Sequence, residues 1–228
     1  MNMSISQLLL RWVMNAHAGA IFLVVMLVLL SGCAVKKMPE PVVDLPDVAQ
    51  GPSVMHFEDG RRGFVLNEVA TLDAAARRDF EQAVASFGEE DYETAIELFD
   101  RVVESSPGVS APYIDLAMAY RKIDRPELAE EYLKNALGLI AGHPVASQEY
   151  GLLLRGAGRF VEAREIYEQS LKEFPEYLPV RRNLGILCDL FLNDWECALE
   201  QYDLYGASSP EDEQVQLWIS ELRLRLGQ

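Results

Sequence analysis

One spacing constrains this chain more than any other feature of it. Alanines at positions 95, 129, 163 and 198 lie 34, 34 and 35 residues apart, and the residues around each one match. Asp91-Tyr92-x2-Ala95-x3-Phe99, Arg125-x3-Ala129-x3-Leu133, Arg159-Phe160-x2-Ala163-x3-Tyr167 and Trp195-x2-Ala198-x3-Tyr202 align without gaps. Pro107, Pro175 and Pro210 each follow their alanine by twelve residues, while in the second unit the proline is displaced to Pro144. Upstream lies another helical pattern: Tyr113-x2-Leu116-Ala117-x2-Tyr120, Tyr150-Gly151-x2-Leu154 and Leu184-Gly185-x2-Cys188. Apolar residues three and four apart mark helices, so each period encodes two helices closed by a proline that cannot continue the hydrogen-bond ladder. Such a unit cannot bury its apolar face alone and must stack on its neighbours. Gly151, Gly185, Ala129 and Ala163 allow two antiparallel helices to approach closely. Tyr120, Phe99 and Tyr167 have the bulk to fill the space between pairs.

The pattern resembles the tetratricopeptide repeat over Ala74 to Leu226, although the first unit has Asp79, Gln82 and Ala83 where the others have aromatic residues and glycine. The resemblance implies an all-α fold, a right-handed α-solenoid of about four helix-turn-helix repeats near 76–109, 110–143, 144–177 and 178–211. A last segment, 211–226, has Val215, Trp218, Ile219, Leu222 and Leu226 on one helical face, as a capping helix requires. The resemblance also implies that the first helix of each pair lines a concave groove. Stepping along one face of those helices selects Ile114, Met118, Arg121, Gln148, Leu152, Arg155, Arg182, Ile186 and Asp189. Apolar residues flanked by arginine suit a peptide with hydrophobic anchors and acidic groups. The alternative is that some of these residues pack between repeats.

Charge separates the two helix sets. The first-helix windows (76–89, 110–123, 144–157, 178–192) hold 7 basic and 6 acidic residues, and the second-helix windows (92–106, 126–140, 159–174, 195–208) hold 5 and 14. The whole chain of 228 residues carries 20 Lys+Arg against 36 Asp+Glu, which excludes the basic footprint of a nucleic-acid binder.

The N-terminus reads differently. Residues 1–32 hold one charge, Arg11, and Ala18–Leu30 form an apolar run too short to span a bilayer comfortably. Leu30-Ser31-Gly32-Cys33 follows it directly and resembles the bacterial lipobox, in which cleavage precedes the cysteine and its thiol carries diacylglycerol. Residues 1–32 are then a lipoprotein signal peptide with Cys33 as the lipidation site. Ala34 in place of aspartate implies the outer membrane, periplasmic face, with the lipid as the membrane attachment. Residues 33–70, with Pro39, Pro41, Pro46 and Pro52, form a tether, and 71–228 the folded domain. Within the tether, His56–Leu66 alternates around Asp59-Gly60, as a hairpin would or as an extended segment packed on the first repeat would.

Catalytic patterns are missing from the sequence. It has three histidines, His17, His56 and His143, and shows neither a nucleophile triad motif nor metal-ligand spacing, so no catalytic residues, metal or cofactor are expected beyond the covalent lipid. Gly156-Ala157-Gly158 falls at a turn between repeat helices. Cys188 and Cys197 flank the Leu192-Asn193-Asp194 turn at about equal distances, where a hairpin would set them opposite each other for a disulfide. Two buried thiols are the alternative, since Cys188 takes a core slot held by Tyr120 in another repeat. The functional expectation is a non-catalytic scaffold or adaptor binding protein or peptide partners in the cell envelope. Lipoproteins of this layout resemble those serving type IV or Flp pilus assembly or TonB-type energy transduction. The alternative is an enzyme or small-ligand periplasmic receptor using the same groove.

Overall fold

The computed structural model describes residues 53–56 and 63–228; the signal-peptide segment, Cys33 and the first part of the tether lie outside the described residues. Two short strands come first, β1 (Ser53–His56) and β2 (Phe64–Asn67), paired antiparallel with Ser53 opposite Asn67 and His56 opposite Phe64. Nine α-helices follow among the described residues. They are α1 (Ala74–Gly88), α2 (Tyr92–Ser105), α3 (Ala111–Lys122), α4 (Pro126–Leu139), α5 (Pro144–Gly156), α6 (Phe160–Glu173), α7 (Leu178–Leu187), α8 (Trp195–Ser208) and α9 (Glu213–Leu226). A five-residue π-helical turn, Cys188–Leu192, extends α7. None of these helices is long and apolar enough to cross a membrane.

The helices pair as the period requires: α1 with α2, α3 with α4, α5 with α6, α7 with α8, and α9 closes the end against α8. Each leading helix also touches the next, α1 with α3, α3 with α5 and α5 with α7. The leading helices therefore lie on the inner side of the stack and the acidic trailing helices on the outer side.

The repeated small residues sit where two backbones meet. A Cβ on Gly151 would collide with the Tyr167 ring, and one on Gly185 would collide with Tyr202. Ala83, Ala95, Ala129, Ala163 and Ala198 are all buried, so Ala83 fills the small-residue slot of the first repeat although glycine is missing there. Phe99, Tyr167 and Tyr202 are fully enclosed between pairs.

Every turn inside a pair passes through one left-handed residue: Glu90 (φ 64°), Asp124 (φ 58°), Gly158 (φ 76°) and Asn193 (φ 52°). The turn that closes each leading helix is thus the same in all four repeats. The extra residue of the last period is taken up just before Asn193 by the π-helical turn, where the Asp194 N–H donates to the Cys188 carbonyl at 2.9 Å.

The folded part reaches further back than the expected boundary at residue 71. Phe64 stacks on Phe174 (centroids 5.9 Å apart) and meets Tyr177 edge-on at 6.0 Å, both between α6 and α7. Glu68 accepts from the Ser110 backbone N–H at 2.7 Å and the Ser110 hydroxyl at 2.6 Å. That places a carboxylate at the N-terminus of α3, where unsatisfied N–H groups and the helix dipole favour an anion. Beyond it, Ala70 comes so close to Gly108 that a Cβ there would lie 3.2 Å from its methyl group. Residues 64–70 therefore run as a strap along the starts of the leading helices, from the third inter-repeat junction back to the first.

Candidate functional site

The inner face is built from α3, α5 and α7, and the structure distributes the nine expected groove residues unevenly. Ile114 is 5 % exposed and belongs to the core between helices, a correction to its expected groove role. The step that selected it crosses the edge of the helix face, because the neighbouring Tyr113 and Leu116 are also buried. Met118, Leu152 and Ile186 are partly exposed, one on each of α3, α5 and α7 at 34-residue intervals, and form an apolar strip. Gln148 accepts a hydrogen bond from the Tyr177 hydroxyl at 3.2 Å.

Arg121 and Arg182 are engaged with carboxylates of the protein, whereas Arg155, among the described residues, meets only an aromatic ring. Arg121 Nη1 on α3 stands 2.8 Å from Glu149 Oε2 on α5, and Glu149 is 8 % exposed. The oxygen lacks an aligned hydrogen bond, so the contact is one of charge. Arg155 lies over the Phe191 ring at 5.6 Å. Arg182 covers Trp218 of α9 at 5.3 Å and approaches Asp212 to 3.7 Å. Asp189 lies 3.7 Å from Arg225, whose guanidinium sits over Trp195 at 5.0 Å. Such pairs use the planar guanidinium both as a charge and as a stacking surface.

The residues that stepping along single helices missed are Asp115 and Glu149, the acidic residues that the repeat places on this face. Glu149 is the residue 34 positions after Asp115, and projecting the charges through the repeat period would have found both. Burial pushes the Asp115 carboxyl up to about 6.

On the outer side, Glu130 accepts from Arg159 Nη1 at 2.6 Å and from the Tyr150 hydroxyl at 2.9 Å, and pairs with Lys134 at 2.7 Å. Partial burial disfavours its charge, but these hydrogen bonds outweigh that effect and hold the carboxyl at about 2. The network joins the second and third repeats.

Beside the strap, Phe64, Leu66, His143, Pro144, Tyr177 and Leu204 contribute to a mostly apolar cavity of about 680 Å³. At the far turn, Cys188 and Cys197 are joined by a disulfide with Cα atoms 6.0 Å apart. Asp194 completes the one group of metal-donor residues among the described residues. Both sulfurs are taken up by the disulfide, and Asp194 accepts from the Cys197 N–H and from Arg164.

The family model described as "Tetratricopeptide repeat" matches residues 86–147, the end of the first unit and the second. The same helix pair, turn and packing slots recur through Ser208, and α9 closes the stack. Over residues 86–147 the chain is similar to the tetratricopeptide-repeat family. Among solved structures, this repeat protein is similar to MamA 41-end from Desulfovibrio magneticus RS-1, at 15% identity and a TM-score of 0.58, covering 69% of this chain and 88% of that one. It is also similar to PilF of Pseudomonas aeruginosa, at 20% identity and a TM-score of 0.59, covering 66% of this chain and 68% of that one. A comparison with curated protein sequences finds no match. At these identities the likeness is one of fold.

Proposed function

We propose that this chain is a non-catalytic scaffold, anchored by a lipid on Cys33 to the periplasmic face of a bacterial outer membrane, that holds protein partners of an envelope machine. Type IV or Flp pilus assembly and TonB-type energy transduction are the two settings that its lipoprotein layout resembles. The observation that carries the reading is the inner face of α3, α5 and α7, where an apolar strip of Met118, Leu152 and Ile186 runs beside charged side chains. A strip of this kind suits an extended or helical segment of another protein. The anchor rests on the order of apolar run, small residues and Cys33. Several acyl chains hold a protein far more firmly than one.

Two measurements test the proposal. Cys33→Ser should release the protein from the membrane fraction and abolish incorporation of labelled palmitate; a variant that stays membrane-bound and labelled rules out Cys33 as the anchor. A photo-crosslinking residue in place of Met118 or Leu152 should capture envelope proteins in intact cells, while one at Glu165 on the outer side of α6 should not. Equal capture from both sides would count against the inner face as the contact surface.

A further inference from the structure

The inner-face ion pairs follow the repeat, and the repeat leaves two of them incomplete. Arg121 of α3 reaches Glu149 of α5, and both residues have equivalents 34 positions away in the neighbouring repeats. One step earlier the pair would be residues 87 and 115; Asp115 is present, but the position of the base is Phe87. One step later it would be residues 155 and 183; Arg155 is present, but the position of the acid is Asn183. The ladder thus consists of an acid without a base, a complete pair, and a base without an acid.

The side chains behave accordingly. Asp115 has no hydrogen bond or ion pair among the described residues, and burial is the one influence on its carboxyl, with no neighbouring cation lowering it. Arg155 Nη1 is buried with no hydrogen-bond partner among the described residues, although its guanidinium stacks on Phe191. Phe191 offers a π face and no acceptor. An unpaired charge in a partly dehydrated site is costly, and a charged partner delivered by a ligand recovers that cost. The two groups lie diagonally across α3 and α5. Six residues of helix rise and one interhelical spacing separate them by roughly 13 Å, which about four residues of extended chain would span.

We propose that the inner groove binds an extended peptide carrying one basic side chain, which pairs with Asp115, and one acidic side chain about four residues away, which pairs with Arg155. This rests on the reading of the inner face as the partner surface, and it adds a basic side chain to the expected peptide of hydrophobic anchors and acidic groups. Arg121 and Glu149 neutralise each other between the two positions, so an uncharged or apolar residue lies there, beside Met118 and Leu152.

The test uses the full-length protein in detergent and synthetic decamers with blocked ends. In these peptides Lys and Glu are separated by three to five residues in either order on an Ala/Leu background, with uncharged, all-Lys and all-Glu controls. The expected result is that one order of the two charges binds at least about tenfold more tightly than the uncharged control and the opposite order. Asp115→Asn should abolish the advantage of Lys over norleucine and leave that of Glu over Gln, and Arg155→Gln should do the reverse. Wild-type protein with the substituted peptides gives the same comparison should either variant fold poorly. Binding that ignores the lysine or the order of the charges, or an unchanged lysine preference in Asp115→Asn, overturns the proposal while leaving the groove as the contact surface. Failure of every peptide to bind, together with equal crosslinking from both sides of the stack, overturns the groove as well.

Discussion

His143 and Asp115 are both shifted by burial, in opposite senses. His143 is buried at the start of α5, where its Nδ1 accepts the Ala146 N–H and the ring must be neutral. Burial lowers its pKa from 6.5 to about 4. Between those values the unfolded chain takes up a proton that the folded chain refuses. Stability is therefore lost as the pH falls from 6.5 through 4, by up to about 3 kcal/mol. Asp115 rises from 3.8 to about 6, so the folded chain holds the extra proton. Its contribution is present below 3.8 and lost as the pH rises through 6, again by up to about 3 kcal/mol, an upper bound because part of the residue meets solvent. Across pH 4–6 the two slopes oppose each other. Denaturant titrations should find Asp115→Asn more stable than wild type at pH 7 and about equal to it at pH 4. A difference that does not change with pH would show that the carboxyl is not held in this way.

At the scale of the element, the four intra-pair turns share one geometry but not one residue type. Gly158 takes the left-handed conformation without strain, and Asn193 and Asp124 with little, whereas Glu90 lacks the short polar side chain that eases it. Glu90→Gly should raise stability by about 0.5–1 kcal/mol, the steric relief less the added chain entropy, and by more than Asn193→Gly does. Equal effects at the two positions in urea unfolding would contradict this account. The last turn has a second constraint. The disulfide closes a loop over a sequence separation of 9, which limits the unfolded chain by roughly 2.5 kcal/mol in the entropic account. Cys188→Ala with Cys197→Ala should destabilise the last repeat by about that amount, and hydrogen exchange should rise first in the π-helical turn and the start of α8. Unchanged protection there would mean that the Asp194 cap and the Phe160–Phe191 contact (4.9 Å) hold the turn unaided.

These elements also mark what a sequence can and cannot reveal. The helix pairs were legible because their packing is local and periodic: Gly151 faces Tyr167 and Gly185 faces Tyr202 within one repeat. The turn at Gly158 could be read for the same reason. Glu90 carries no such signal, since nothing in its side chain announces a left-handed backbone. The groove was legible as a helix face, but its charges were not. Arg121 finds Glu149 on another helix, and stepping along one helix cannot show a partner that depends on the register between two. The strap was least legible. Phe64 and Glu68 sit in a strand of four residues and the loop after it, and their partners lie in two different inter-repeat junctions, the third and the first.

At the scale of the whole folded unit, that strap changes how the stack holds together. A repeat array contacts only its neighbours, so its stability is close to a sum of units and interfaces, and its ends can open independently. Among the described residues, side-chain hydrogen bonds within the helical stack reach at most into the adjacent repeat, as Tyr132 to Asp100 and Arg164 to Asp194 do. Phe64 instead joins the start of the folded chain to Phe174 in the third junction, and Glu68 joins it to Ser110 in the first. One segment therefore bridges repeats that otherwise communicate only through their neighbours. Removing the Phe64 ring loses an aromatic contact worth about 3 kcal/mol or less at a partly exposed site, and removing the Glu68 carboxylate leaves the Ser110 N–H without its acceptor at roughly 1–3 kcal/mol. Phe64→Ala with Glu68→Ala should lower the midpoint of unfolding and also make the transition shallower, because α7 to α9 can then open while α1 to α4 stay folded. Hydrogen exchange resolved along the chain should show protection falling in α7 to α9 as well as near residue 64. A midpoint that drops with an unchanged slope, and exchange that rises only in the strap, would show that the segment rests on the stack without coupling its repeats.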